Sequence, residues 1–148
     1  MPIKYVHTNI IAKDWKKLAK FYIDVFGCEP IVPERHLSGK WIDNLTEIEN
    51  VLIDGVHLKL PGYIDGPTLE IFQYNPENLN ENNSINQRGF GHIAFHVNDV
   101  ENMLNKVIEK GGSKLGSIEQ KYYEGIGKLT VVYAKDPEGN FIEIQNWG

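Results

Sequence analysis

The chain has a single cysteine among its 148 residues, so no disulfide can form within it. It also has no run of about 20 apolar residues, the length that a membrane-spanning helix requires. Basic residues are few and scattered, 15 Lys and Arg against 20 Asp and Glu, which argues against nucleic acid as a partner. Residues 1–4 lead into a predicted strand rather than a secretory signal, so we expect a cytoplasmic protein.

The single cysteine, Cys28, allows two interpretations. A nucleophilic thiol needs a group nearby that favours the thiolate, and no histidine lies beside Cys28 in the sequence. It follows Gly27, at the end of a predicted helix, where a partly buried thiol is common. We therefore expect Cys28 to be structural.

The most informative pattern is a segment that occurs twice. Near the start, His7 lies in an apolar segment seven residues before Asp14, and an amphipathic helix follows. His92 stands in the same relation to Asp99, again before an amphipathic helix. This repetition predicts two related modules within one chain.

Hydrophobic periodicity predicts the order β-α-β-β-β in each half. Asp14 and Asp99 are good helix N-caps, and Gly27 and Gly111 are good helix stops. Lys121–Glu124 is predicted to be a loop over the cleft of the second half. In the first half the predicted strands are 3–11, 51–60 and 68–74, and residues 28–38 give mixed strand and loop signals. In the second half the predicted strands are 91–97, 128–134 and 140–145.

The predicted domain organisation is one domain made of two modules, residues 1–75 and residues 90–148. The Asn-rich segment 76–89 between them has few large apolar residues and is predicted to be an exposed linker.

The first module is longer than the second. Glu70 follows His7 by 63 residues, whereas Glu143 follows His92 by 51. The additional residues are assigned to Gly39–Asn50, a polar segment predicted to be a short helix or a covering loop.

Alternation along the strands places candidate metal ligands on one face of each module. In each strand tested, the apolar residues suit the helix side and a polar residue points away from it. These polar residues are Glu70, His92 and Glu143. With His7 they provide two imidazoles and two carboxylates, a complete ligand set for a divalent Ni, Co, Zn, Mn or Fe ion. The sequence leaves open whether the four side chains converge.

The motifs of both halves resemble the vicinal oxygen chelate superfamily, which includes glyoxalase I and methylmalonyl-CoA epimerase. The resemblance covers essentially the whole chain. It depends on His7 with the helix that follows Asp14, on Leu69-Glu70-Ile71, on Gly91-His92-Ile93-Ala94-Phe95, and on residues 136–144 (DPEGNFIEI). It implies an α+β fold of two βαβββ modules, forming a curved mixed sheet with a concave metal-binding cleft.

The resemblance also implies roles for particular residues. The superfamily places its metal ligands on the first and last strand of each module, which corresponds to His7, Glu70, His92 and Glu143 here. Glyoxalase I and the epimerase both move a proton on a carbon beside a carbonyl or thioester group. By that similarity Glu143 is the candidate base and Glu70 the second carboxylate of the site. A further carboxylate from the first half is assigned to Glu49, with Glu47 as the alternative.

Substrate contacts are predicted for Trp41, Phe72, Tyr123 and Arg88, of which Phe72 lies on the predicted strand 68–74, on the same face as Glu70. The sequence predicts a structural role for His57, and it places His96 on the ligand face but too far along its strand to be a main ligand. The expected substrate is a small oxo compound or thioester, such as a hemithioacetal or an acyl-CoA.

Two other functions fit the same resemblance. One is a non-catalytic small-molecule or drug-binding protein like the bleomycin-resistance proteins, and the other is an Fe(II) extradiol-type dioxygenase. A homodimer is expected, because modules of this kind leave sheet edges to be covered. Neither nucleic acid nor a membrane is expected as a partner.

Overall fold

The computed structural model describes residues 2–80 and 84–148. The chain folds into two compact units, Met1–Leu79 and Asn80–Gly148. The boundary between them falls inside the segment 76–89 predicted as a linker, of which residues 81–83 lie outside the described residues. Among the described helices, none combines the length and the apolar character needed to cross a membrane.

The first unit is a four-stranded mixed sheet with two helices. Its elements are β1 (His7–Ile11), α1 (Trp15–Phe26), β2 (Glu29–Leu37), α2 (Lys40–Thr46), β3 (Leu52–Lys59) and β4 (Thr68–Asn75). The strand order across the sheet is β1-β4-β3-β2. β1 runs parallel to β4, and the other neighbouring strands are antiparallel.

The second unit repeats this arrangement with one helix. Its elements are β5 (His92–His96), α3 (Val100–Glu109), β6 (Ser113–Tyr123), β7 (Gly127–Lys135) and β8 (Phe141–Trp147). The strand order is β5-β8-β7-β6, with β5 parallel to β8. The predicted α+β fold class with βαβββ modules is therefore confirmed.

Local chemistry explains where α1 begins and ends. Asp14 Oδ1 accepts the backbone N–H of Lys17 at 3.2 Å, and Gly27 adopts the left-handed conformation with φ of 74°. One face of the helix is buried, including Trp15 and Leu18, and it packs on β3 and β4.

The apolar face of each sheet lies under its helix, as alternation predicts. Leu69 and Ile71 of β4 are buried on the α1 side, and Ile142 and Ile144 of β8 are buried on the α3 side. Truncating one of these side chains to Ala is expected to cost about 2–5 kcal/mol of stability. The residues between them, Glu70 among them, therefore face the opposite side of the sheet.

Two predicted element bounds are wrong. Residues 3–6 do not belong to the first strand, because the β1–β4 register begins at His7 and Thr68; Val6 still accepts the backbone N–H of Thr68 at 3.0 Å. Lys121–Tyr123 is not a loop, because these residues pair with β7 in a hairpin whose connection is only residues 124–126. A strand rich in Lys and Tyr lacks the apolar alternation that the sequence pattern relies on.

The additional length of the first unit lies between β2 and β3, as predicted. That connection covers residues 38–51 and contains α2. Ile42 of α2 is buried against Ile53 and Phe72, which lie on the same sheet face as Glu70. The carboxylate of Asp43 accepts the backbone N–H groups of Asn50 and Val51 at 2.9 and 3.0 Å. These contacts hold the insertion in place, so that it covers part of that sheet face.

Cys28 is buried, and burial raises the pKa of its thiol to about 11. The thiolate fraction at pH 8 is then about 10⁻³, so the native thiol is expected to react with an aromatic disulfide reagent about 100-fold more slowly than the unfolded chain. Labelling kinetics with and without denaturant measure this difference. Equal rates would contradict a structural role for Cys28.

Candidate metal centre

Each unit carries a histidine and a glutamate in the same diagonal register across two parallel strands. In the first unit His7 lies opposite Thr68, and Glu70 is two residues further along β4. His7 Nε2 is 3.5 Å from Glu70 Oε1. His92 and Glu143 repeat this register in the second unit, with His92 Nε2 3.4 Å from Glu143 Oε1. The repeat in the sequence is therefore also a repeat of geometry within each unit.

Glu70 is a buried carboxylate, 8% exposed, and its partners come from the strands on either side. Asn9 on β1 and His57 on β3 are its direct register partners. Asn9 Nδ2 donates to Glu70 Oε1 at 2.7 Å, and His57 Nε2 lies 2.5 Å from Glu70 Oε2. Because a buried carboxylate without such partners would cost several kcal/mol, these contacts fix the place of Glu70.

The surroundings of His57 favour its neutral form. Burial lowers the pKa of His57; the Glu70 carboxylate opposes this shift, whereas Arg35 and His7 lower the pKa further. His57 Nδ1 lies 3.1 Å from Thr68 Oγ1, and its ring meets the His7 ring edge-on with centroids 5.3 Å apart. A neutral imidazole has the lone pair that a metal ligand needs.

His7, His57 and Glu70 form a cluster whose ligand atoms all lie within 4.8 Å of one another. First-row divalent metals bind imidazole nitrogen and carboxylate oxygen at about 2.0–2.2 Å, so the ligand atoms around one ion lie about 3–4 Å apart. Small side-chain rotations would bring the three atoms to that spacing. Within residues 2–80 and 84–148, no second group of three His, Cys, Asp or Glu side chains lies so close together.

The sequence predicts a structural role for His57, but the structure places it in this cluster. At the turn end of the β3–β4 hairpin, Lys59 pairs with Thr68. Two residue pairs further from the turn, His57 pairs with Glu70. The obvious turn between the two strands was therefore the signal that could have identified His57.

Glu143 has different neighbours from Glu70, because the residues at the flanking register positions differ. Tyr133 on β7 stands opposite Glu143, where His57 stands opposite Glu70. Ala94 lies on the other side of Glu143 and has no side chain that can donate a hydrogen bond. The second unit therefore holds its carboxylate without a second imidazole.

Two polar side chains orient Glu143. Burial raises the pKa of Tyr133, and the charge of Glu143 and hydrogen bonding to it raise it further, so the phenol stays protonated at neutral pH. Gln145 Nε2 donates to Glu143 Oε2, and Trp147 Nε1 donates to Gln145 Oε1 at 2.7 Å. The Tyr133 ring also packs on His92, with centroids 5.1 Å apart.

The two predicted substrate-contact residues of the first unit differ in their exposure. Trp41 is 57% exposed on α2, and its Nε1 donates to the Ser38 carbonyl at 3.0 Å. Phe72 is only 8% exposed beneath α2, so it backs the site rather than lining it.

The carboxylates of the insertion lie far from Glu70. Glu49 is in an exposed turn just before the Leu52–Asn75 end of the β3–β4 ladder. That end is five residue pairs from the His57–Glu70 pair, about 17 Å along the strand. Glu47 follows α2 directly and is also exposed. Neither residue reaches the cluster in the first unit.

In the second unit, Tyr123 ends β6 and its ring packs on Trp147 with centroids 5.6 Å apart. Tyr123 is 39% exposed, and Arg88 is exposed before β5. His96 lies opposite Gln145 at the far end of β5, four residues beyond His92.

Proteins of one superfamily match this chain along most of its length. The sequence profile of the Glyoxalase/Bleomycin resistance protein/Dioxygenase superfamily matches residues 4–144. A lactoylglutathione lyase of Schizosaccharomyces pombe is 29% identical over 153 residues, which cover 95% of this chain and 46% of that protein. This chain thus spans about half the length of that relative. A probable lactoylglutathione lyase of Synechocystis is 24% identical over 143 residues, 94% of this chain and 92% of that protein.

Solved structures agree with the fold. A glyoxalase family protein from Bacillus cereus has a TM-score of 0.85 at 15% identity, covering 99% of this chain and 95% of its own. A glyoxalase/bleomycin resistance protein/dioxygenase family enzyme from Burkholderia phytofirmans has a TM-score of 0.64 at 17% identity, covering 99% of this chain and 100% of its own. At these identities the likeness concerns the fold alone.

Proposed function

Because this chain belongs to the Glyoxalase/Bleomycin resistance protein/Dioxygenase superfamily, we propose that it is a divalent-metal-dependent lyase or isomerase. It moves a proton on the carbon beside a carbonyl group of a small oxo compound or thioester. The observation that carries the proposal is the His–Glu pair that recurs in the same register in both units. The lactoylglutathione lyases among its relatives make a hemithioacetal the first substrate to test, with an acyl-CoA second.

The proposed metal ligands are His7 and Glu70 of the first unit and His92 and Glu143 of the second. Two neutral imidazoles and two carboxylates balance the charge of a divalent cation and suit Ni, Co, Zn, Mn or Fe. When bound, the ion supplies Lewis acidity at a substrate oxygen.

Glu143 is the proposed general base, because the two carboxylates are held differently. Glu70 accepts contacts on both oxygens, from Asn9 and from His57, and suits a fixed ligand. Glu143 accepts from Gln145 and has Tyr133 rather than an imidazole at the position of His57, so no second nitrogen base competes with it for a proton of the substrate carbon. Such unequal surroundings of two carboxylates commonly divide their roles.

Substrate contacts are proposed for exposed side chains of both units: Trp41, Tyr123 and Arg88. The α2 insertion covers one end of the Glu70 face in the first unit and leaves the end with His7 open. We therefore assign substrate selection to this insertion. A homodimer remains part of the proposal.

Removing the metal is expected to lower the isomerisation of the hemithioacetal of methylglyoxal and glutathione by about 100-fold or more, because the substrate oxygen loses its Lewis acid. Ultraviolet absorbance of the product thioester follows the reaction, and circular dichroism verifies that the chelated protein stays folded. One equivalent of metal should restore the rate. Full activity in folded, metal-free protein would contradict the proposal.

One observation favours a second candidate function. The cluster of His7, His57 and Glu70 has the composition of the two-histidine, one-carboxylate triad that non-haem Fe(II) oxygenases use. Oxygen consumption by the Fe(II)-loaded protein with a catechol substrate, and no isomerisation of the hemithioacetal, would establish that function instead. Binding of a small molecule without turnover and without sensitivity to chelators would identify a sequestering protein.

A further inference from the structure

His57 occupies a position that the two units fill differently. It stands opposite Glu70 on the neighbouring antiparallel strand, as Tyr133 stands opposite Glu143. Imidazole nitrogen is a common ligand of first-row transition metals, whereas a tyrosine phenol is not among the usual ones. The first unit therefore offers one more ligand than the second.

The two ring nitrogens of His57 have separate partners. Nε2 lies 2.5 Å from Glu70 Oε2, so a proton is shared between these two atoms. Nδ1 lies 3.1 Å from the hydroxyl of Thr68. Metal-bound histidines usually donate the second ring N–H to an oxygen atom, and a hydroxyl can donate or accept. The Thr68 hydroxyl can therefore form a hydrogen bond with Nδ1 of His57 both when Nε2 carries a proton and when Nε2 binds a metal.

The remaining geometry places a second imidazole beside the same carboxylate. His7 Nε2 approaches the other oxygen of the same carboxylate, at 3.5 Å, so the two imidazoles flank Glu70. Asn9 donates to Glu70 Oε1 and leaves Oε2 toward His57. The side chain of His7 is 38% exposed and that of His57 is 18% exposed, which leaves access for an ion and for water.

We propose that His57 is a metal ligand, so that the first unit contributes three ligands to a divalent transition metal: His7, His57 and Glu70. The inference rests on the proposed function, since the ion is the one that the enzyme uses. It adds a nitrogen donor to the four proposed ligands, which favours Fe, Co, Ni, Cu or Zn over Mg or Ca. With these three first-unit ligands, the ion would retain positions for its other ligands and for substrate.

Counting imidazoles on bound Cu²⁺ tests this site in the whole protein. Electron spin-echo envelope modulation detects each bound imidazole through its remote nitrogen. The wild-type protein is expected to show three imidazoles, from His7, His57 and His92. A wild-type count of one imidazole or none would overturn the inference without any variant, and a count of two is assigned to His57 or to His92 by the variants.

Variants identify the ligand. His57→Gln keeps an amide that can donate to Glu70 but lacks the imidazole, and it should lose one imidazole and bind Zn²⁺ at least about 100-fold more weakly. His36→Gln is the matched control, because His36 is an exposed histidine of the same sheet bonded to Asp54. It should retain the wild-type count and affinity. Circular dichroism verifies that each variant is folded.

His92→Gln separates this inference from the proposed function. Loss of one imidazole in each of His57→Gln and His92→Gln would support both. An unchanged count in His57→Gln, with a loss in His92→Gln, would overturn the role of His57 and leave the proposed function standing. A loss in His57→Gln alone would support the three-ligand site and contradict the assignment of His92. An unchanged count in both would contradict both assignments.

Discussion

Replacing Glu143 with Gln is expected to lower kcat for the hemithioacetal by about 10²–10⁴-fold, the usual cost of removing a general base. The amide keeps the size of the side chain and can still accept a hydrogen bond from Gln145, but it cannot take a proton from carbon. It also loses the negative charge that a divalent cation needs, so the metal content should fall with the activity. Steady-state kinetics and elemental analysis of the same preparation measure both quantities.

Glu109→Gln provides the matched control. Glu109 is an exposed residue at the end of α3, which packs on the face opposite to Glu143. This variant should keep the wild-type kcat and metal content. Wild-type values for both quantities in Glu143→Gln would show that Glu143 is neither the base nor a ligand.

Replacing Gly55 with Ala is expected to destabilise the fold by about 3 kcal/mol or more, because a methyl group has no room there. Its Cβ would lie 2.1 Å from the carbonyl oxygen of Ile71 and 2.6 Å from Cδ1 of Phe72. Separating β3 from β4 would relieve the clash, and that movement would also separate His57 from Glu70. The melting temperature should fall by about 10 °C, with weaker metal binding.

Gly91→Ala is the control for Gly55→Ala. A Cβ at Gly91 would meet nothing within 4 Å, so the melting temperature should change by no more than about 2 °C. Thermal unfolding followed by circular dichroism compares the two variants. Equal stability of Gly55→Ala and the wild type would contradict the close contact of β3 with the Phe72 ring.

The sequence predicted the modules because the signals for them are local. Asp14 and Asp99 cap the helices as expected, and each accepts a backbone N–H of the first helical turn. The apolar residues around Glu70 and Glu143 alternate, so the face of each carboxylate followed from the strand geometry alone. The repeat also located the insertion, because the first copy has more residues between its histidine and its glutamate than the second copy has.

Features that depend on pairing between strands were missed. His57 becomes part of the site because the hairpin register brings it opposite Glu70, 13 residues later in the sequence. Glu49 was assigned through the resemblance to the epimerase, whereas the β3–β4 ladder places the end of β3 that follows it about 17 Å from the His57–Glu70 pair. Lys121–Tyr123 forms a strand because β7 supplies its hydrogen bonds, although its own composition does not predict one.

The central claim is that a divalent metal binds at the repeated His–Glu pairs. A crystal structure of the protein grown with Zn²⁺, with an anomalous difference map at the zinc absorption edge, tests it most directly. We expect one strong peak per chain within about 2.0–2.2 Å of ligand atoms of His7, Glu70, His92 and Glu143, with His57 also in contact. A zinc peak away from Glu70 and Glu143, or no peak in a folded protein, would contradict it.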